Sequence, residues 1–217
     1  MVVVDQILSK SEVSEFRETL KNAPWLNGKS TAMGMASSVK NNHQADSNDA
    51  NIRQLTNKLL ARIGETSHLI SAALPHKIFP PCFNRYGEGE EYGFHVDASI
   101  MRIPHSQDVV RSDVSMTVFL NEPDEYDGGE LVIATEFGEQ KVKLGAGQAV
   151  VYPSSSLHKV TAVKKGERIA AITWMQSMIP DVTLRQTLYQ LDRTIQTLLN
   201  KQQTERDELD KLHHVYH

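Results

Sequence analysis

At 217 residues the chain has room for one domain and an appendage. Hydrophobic residues make up 40% and charged residues 23%, the balance of a globular protein, and a net charge of −4 offers no basic footprint for nucleic acid. The single cysteine, Cys82, excludes an internal disulfide and suits a reducing cytosol. No window nears the roughly 18 apolar residues of a membrane span, and Met1-Val2-Val3-Val4-Asp5 lacks the regions of a secretory signal, so a cytoplasmic location is expected.

Val2 to Val4 predicts a short strand. Ser9 and Glu12 have capping-box spacing, and Val13, Phe16 and Leu20 recur at helical intervals behind them. Residues 22–51 are polar and rich in Gly, Ser and Asn, as a surface loop is. From Ile52 to Ala73 the set Ile52, Leu55, Leu59, Leu60 and Ile63 predicts a second amphipathic helix.

At Pro75 the period changes. Short β-type runs follow to about Met178, among them Val114–Leu120, Glu130–Ala134, Lys141–Leu144, Ala149–Tyr152 and Ile169–Trp174. The separators Asp127-Gly128-Gly129, Gly145-Ala146-Gly147 and Lys164-Lys165-Gly166 carry turn chemistry. Evenly spaced short strands point to a sandwich or jelly roll, so the expected class is mainly β with flanking helices (α+β). Past Pro180 helical periodicity returns, with Leu184, Leu188, Leu191, Ile195 and Leu198 in a coiled-coil-like seam. The bland reading of that seam is a helix packed on its own domain; the other is a homo-oligomer contact. Lys201 to Asp210 is charged enough to be a solvated helix or tail. The expected organisation is a domain over 1–178, with its β core at about 75–178, and a helical C-terminal extension over 179–217.

The chemistry concentrates in Arg85-Tyr86 and the following run to His95-Val96-Asp97. Residues i and i+2 of a strand share a face, so His95 and Asp97 can present a nitrogen and an oxygen to one point. His-x-Asp alone is weak, because a lone strand histidine is more often structural. His158, 63 positions after His95, supplies a third ligand after an expected four strands, a span that returns a jelly roll to the same mouth. Two histidines and one carboxylate with open positions suit non-heme Fe(II) oxygenases. Arg168, ten positions after His158, heads an apolar strand. Its guanidinium suits the far carboxylate of a 2-oxoglutarate co-substrate, which it can grip through two parallel hydrogen bonds.

The order His95-x-Asp97, His158, Arg168 resembles the 2-oxoglutarate/Fe(II) dioxygenase superfamily. Arg85-Tyr86 upstream and Asp127-Gly128-Gly129-Glu130-Leu131 between the ligands narrow the likeness to the prolyl-hydroxylase-like branch. Pro153-Ser154-Ser155-Ser156-Leu157-His158, the opening of the chain and the helical C-terminal extension are similar to the bacterial PKHD-type hydroxylases. The resemblance implies a double-stranded β-helix, Fe(II), 2-oxoglutarate and O2, stimulation by ascorbate, and a Tyr86 hydroxyl on 2-oxoglutarate. Collagen-type prolyl hydroxylases carry Lys where this chain has Arg168, so a prolyl substrate is not carried over. Ser115, Thr117 and Thr173 are candidate pocket residues, and Trp174 reads as core. Glu88, Glu90 and Glu91 read as a solvated loop, while Arg102, Ile103 and His105 occupy a long loop suited to substrate contact. Two other classes fit the same residues: a non-catalytic metal/2-oxoglutarate sensor on this fold, and a zinc hydrolase, in which Arg168 has no role.

Overall fold

The computed structural model describes residues 1–31, 34–104, 106–201 and 205–217, so His105 and part of the charged 201–210 segment lie outside the described residues. In chain order, β1 (Val2–Val4) leads into α1 (Lys10–Lys21), β2 (Trp25–Asn27), a 3-10 turn (Gly28–Thr31) and the short α2 (Met35–Ser38). Then come β3 (Lys40–Asn41), β4 (His43–Ala45), α3 (Ala50–Glu65) and α4 (Ser67–Ala73). The β region runs through β5 (Pro75–Ile78), β6 (Cys82–Tyr86), β7 (Glu91–His95), β8 (Ile100–Arg102), β9 (Val109–Arg111) and β10 (Val114–Phe119). It continues with β11 (Tyr126–Gly128), β12 (Leu131–Thr135), β13 (Gly138–Val142) and β14 (Ala149–Pro153). The last strands are β15 (His158–Val160), β16 (Val163–Gly166) and β17 (Arg168–Ser177), followed by α5 (Val182–Lys201) and α6 (Arg206–Tyr216).

Among the described residues, the larger sheet has the order β1-β14-β10-β17-β6-β4-β2, with β5 also on β17, and the smaller has the order β13-β12-β15-β7-β3. All the strand pairs within them are antiparallel. The two sheets face each other as a jelly roll. Tyr86, Phe119, Val150 and Tyr152 of the larger sheet meet Leu131, Ile133, Val142 and Val160 of the smaller in the lumen. The other face of the larger sheet presents Phe83, Val114, Met116, Val118 and Ile169 to Phe16, Leu20, Leu55, Leu59 and Ile63 of the helices. Every residue of β10 is therefore buried, as expected of a strand covered on both faces.

The Ser9 capping box forms: Glu12 N–H donates to Ser9 Oγ at 3.3 Å and Ser9 N–H donates to Glu12 Oε2 at 2.9 Å. The helix expected over 52–73 is two helices. Thr66 Oγ1 donates to the Arg62 carbonyl, and Thr66 itself is extended, which ends α3 and starts α4. The helix that carries the leucine seam packs in part on its own domain: Ile195 is buried, Asp192 accepts from Ser71 at 2.6 Å and Tyr189 meets His68 at 2.7 Å, while Leu184 at the start of the seam is exposed.

Three other expectations need correcting. Residues 22–51 are not simply a surface loop, since β3 and β4 join the two sheets and bury Lys40 and Asn42. Two of the supposed turns pair with each other: β11 holds Asp127-Gly128 and β16 holds Lys164-Lys165-Gly166. Gly128, at φ +71°, has space for a Cβ only 2.1 Å from the Ala162 carbonyl oxygen, so the backbones approach as closely as glycine permits. The 98–113 loop is partly structured, because β8 and β9 pair as a hairpin.

Candidate metal and co-substrate site

β7 and β15 are neighbours in the smaller sheet, and their register sets His95 directly opposite His158. The ring centroids are 4.2 Å apart. Asp97 lies just beyond the end of β7, two residues on from His95, and the exposed Val96 between them points away. Asp97 Oδ1 stands 4.0 Å from His95 Nε2 and 3.8 Å from His158 Nε2. One ligand atom from each of the three residues lies within 4.8 Å of the others. Between His95 and His158 the described residues form seven strands, four of them (β10, β12, β13 and β14) in the two sheets.

The hydrogen bonds fix the donor atoms. His95 Nδ1 lies 2.8 Å from the Gly93 carbonyl oxygen, and His158 Nδ1 lies 3.0 Å from that of Ser156. A carbonyl only accepts, so each Nδ1 carries the proton and each Nε2 turns a lone pair toward Asp97. Ser115 donates to Asp97 Oδ2 at 2.6 Å and is hydrogen-bonded to Ser154 at 2.8 Å. Tyr92 stacks on His95 with centroids 3.6 Å apart, and Tyr152 meets His158 edge-on at 5.3 Å. Burial, and then the neighbouring His158, bring the His95 imidazole down to about 4. Two imidazoles whose Nδ1 atoms are committed to carbonyls, with Nε2 atoms beside a hydrogen-bonded carboxylate, are what a divalent ion requires.

Arg168 opens β17 opposite Tyr86 on β6. It is 2% exposed, with its guanidinium 5.2 Å from the Tyr86 ring and 5.5 Å from the Phe119 ring. Its Nε has no hydrogen-bond partner, and among the described residues no carboxylate lies within ion-pair distance of it. A buried, uncompensated guanidinium awaits an anion. Tyr152, edge-on to His158, belongs to the same lumen cluster as Tyr86 and Phe119, the two rings beside the guanidinium.

The other expected site residues divide. Tyr86 is buried in the lumen, and burial raises its phenol. Ser115 holds Asp97, while Thr173 faces the opposite side of its strand and donates to the Phe79 carbonyl. Trp174 is half-buried, edge-on to Phe79. Glu88 and Glu91 are exposed, but Glu90 is partly buried, accepting from Gly87 N–H at 2.8 Å and meeting His43 at 3.0 Å. Sequence reasoning passed over Lys40, Asn42, Tyr92 and Tyr152; of these only Tyr92, three positions before His95, carried a positional hint.

The jelly roll and its two-histidine, one-carboxylate cluster define a class, the non-heme Fe(II) oxygenases. Residues 81–176 match the 2OG-Fe(II) oxygenase superfamily. Over its whole length the chain is 71% identical to a PKHD-type hydroxylase from Shewanella frigidimarina and 61% identical to one from Alteromonas mediterranea, covering 96% of each. The chain belongs to the PKHD-type hydroxylases, and it is an Fe(II)- and 2-oxoglutarate-dependent dioxygenase. Among solved structures, a prolyl hydroxylase from Trichoplax adhaerens aligns with a TM-score of 0.57 at 15% identity, over 84% of this chain and 86% of that one. A prolyl-4-hydroxylase from Pseudomonas putida aligns with a TM-score of 0.53 at 20% identity, over 82% and 92%. These two share the fold.

Proposed function

We propose that His95, Asp97 and His158 hold the iron, that Arg168 holds the far carboxylate of 2-oxoglutarate, and that the Tyr86 hydroxyl contacts the same co-substrate. The observation that carries this reading is the convergence of two imidazoles and one carboxylate, their ligand atoms within 4.8 Å, with a buried guanidinium nearby that has no carboxylate partner among the described residues. Bound Fe(II), with 2-oxoglutarate and O2, supplies the oxidising power that replaces a substrate C–H hydrogen by hydroxyl and releases succinate and CO2.

The chain's own residues do the positioning. The Gly93 and Ser156 carbonyls hold both imidazoles in the Nδ1–H tautomer, and Tyr92 and Tyr152 wedge the rings. Ser115 occupies one oxygen of Asp97, which leaves Oδ1 facing the histidines. Tyr86 and Phe119 keep water from the guanidinium faces, strengthening its attraction for a carboxylate.

Anaerobic titration with Fe(II) and 2-oxoglutarate tests the scheme. A weak visible metal-to-ligand band is expected in the wild type and is lost in His158→Ala; its absence from the wild type refutes the assignment. Ascorbate is proposed to sustain turnover by re-reducing iron, and the number of turnovers with and without it is the measurement.

Residues 179–217 are proposed as a helical extension of a 1–178 dioxygenase unit. Its Leu184, 49% exposed, is a contact for a second copy, so light scattering is expected to report an oligomer that Leu184→Glu disperses. No helix among the described residues is long and apolar enough to cross a membrane. We place the reaction in the cytosol, which cell fractionation tests.

A further inference from the structure

A second buried cation lies on β3, the edge strand of the smaller sheet, and nothing in the reading above uses it. Lys40 on β3 pairs in register with Tyr92 on β7, so the two side chains share a face. Lys40 is 5% exposed, with its ammonium 5.4 Å from the Tyr92 ring, the same ring that stacks on His95. Its Nζ has three protons and, among the described residues, a single hydrogen-bond acceptor, Thr31 Oγ1 at 2.8 Å. No carboxylate among those residues is within ion-pair distance. Burial brings the ammonium down to about 8, and Cys82 and then Asp97 act the other way from beyond direct contact. Asn42, two residues on, is 2% exposed, and neither atom of its amide makes a hydrogen bond, although it stands near the Tyr86 hydroxyl.

A buried ammonium without a counter-charge and a buried amide without hydrogen bonds both cost stability unless a ligand completes them. We propose that Lys40, with Asn42 beside it, binds a carboxylate on the primary substrate and thereby holds that substrate against Tyr92 at the edge of the iron site. This rests on the iron and 2-oxoglutarate reading given above. The 2-oxoglutarate carboxylate is already matched by Arg168, on β17 of the other sheet, so Lys40 is free for a different anion. One ammonium and one neutral amide match a single negative charge. A doubly charged phosphate would leave a buried charge uncompensated near Asp97.

The test uses the full chain with Fe(II) and saturating 2-oxoglutarate under anaerobic conditions. Propionate and its uncharged isostere propionamide are the probes, and the visible band and its amplitude are the readout. Propionate is expected to shift the band in the wild type and in Lys40→Arg without lowering its amplitude, and propionamide to leave it alone. In Lys40→Met the apparent affinity for propionate falls about tenfold or more, the loss of one charge-assisted hydrogen bond, with 2-oxoglutarate binding retained. Equal responses to the two probes, no response to propionate, or a Lys40→Met variant that responds like the wild type overturns the assignment of Lys40. A wild type with no band before any probe is added overturns the iron and 2-oxoglutarate reading, and the Lys40 proposal with it. Thermal unfolding of the metal-free proteins is a separate check. Lys40→Met is expected to melt at or above the wild-type temperature, because it removes an unpaired buried charge; a large drop would make Lys40 a structural residue and refute the proposal.

Discussion

Replacing Arg168 by Met separates binding of the co-substrate from holding of the fold. In the wild type the guanidinium is 2% exposed, rests on two aromatic rings and has no carboxylate partner among the described residues. A carboxylate arriving there forms up to two charge-assisted hydrogen bonds at a desolvated site. Removing one partner of such a pair costs about 3 kcal/mol, a roughly 150-fold rise in Kd for 2-oxoglutarate. The folded apoprotein has little to lose. Two cation–π contacts of about 1 kcal/mol each disappear, but so does an unpaired buried charge, and a Met side chain keeps thioether contacts with the same rings. The melting temperature of the metal-free variant is therefore expected to change by no more than a few degrees, with any net change upward. Anaerobic titration of the visible band gives both affinities, and 2-oxopentanoate, with a methyl in place of the far carboxylate, is the control ligand. It should bind wild type and variant alike. A 2-oxoglutarate Kd within about fivefold of wild type, or an iron affinity that falls in parallel, would refute the reasoning.

Four further outcomes follow from the same geometry. Ser115→Ala removes the hydroxyl that holds Asp97 Oδ2, so metal affinity should fall about 10- to 100-fold in competition with a chromophoric chelator; unchanged affinity would show that Ser154 and packing suffice. Gly128→Ala forces a Cβ against the Ala162 carbonyl oxygen at a φ of +71°. It should cost about 3 kcal/mol by denaturant unfolding, whereas Gly89→Ala, at φ +79° with nothing within 4 Å, should cost about 1 kcal/mol; equal losses would contradict the close-approach argument. His95 titrates at about 4 against an ordinary 6.5. Above 6.5 neither state takes the proton, and between 6.5 and about 4 the unfolded chain takes it first, so the apoprotein loses stability as pH falls through that window. The denaturation midpoint should decline less steeply there in His95→Gln; parallel slopes would refute the assignment. Finally, Thr66→Ala frees the Arg62 carbonyl, so amide exchange at the α3–α4 junction should slow as the two helices begin to merge, and no change would leave the break to tertiary packing.

Local patterns in the sequence determined a good deal of this protein. The capping box at Ser9 and Glu12, the apolar stripes of α1 and α3, and the alternation that divides β10 and β14 between two cores all depend on near neighbours and are legible from spacing. The chemical types of the metal cluster and of Arg168 were equally legible, because iron and a carboxylate admit few side chains. Other features came only from the tertiary structure, for one physical reason: they arise from pairings between segments distant in the chain. The hydroxyl that holds the Asp97 carboxylate comes from Ser115 on β10, a partner that the spacing of His95 and Asp97 does not reveal. Turn-like Asp127-Gly128 and Lys164-Lys165-Gly166 became a ladder because positive-φ glycines let two backbones meet. Lys40 and Asn42 occupy a polar stretch that reads as solvent-exposed, yet β3 closes onto β7 and β4 onto β6 and buries them. Burial belongs to the assembled sheet, and a sequence spells out only the residues that the sheet will cover.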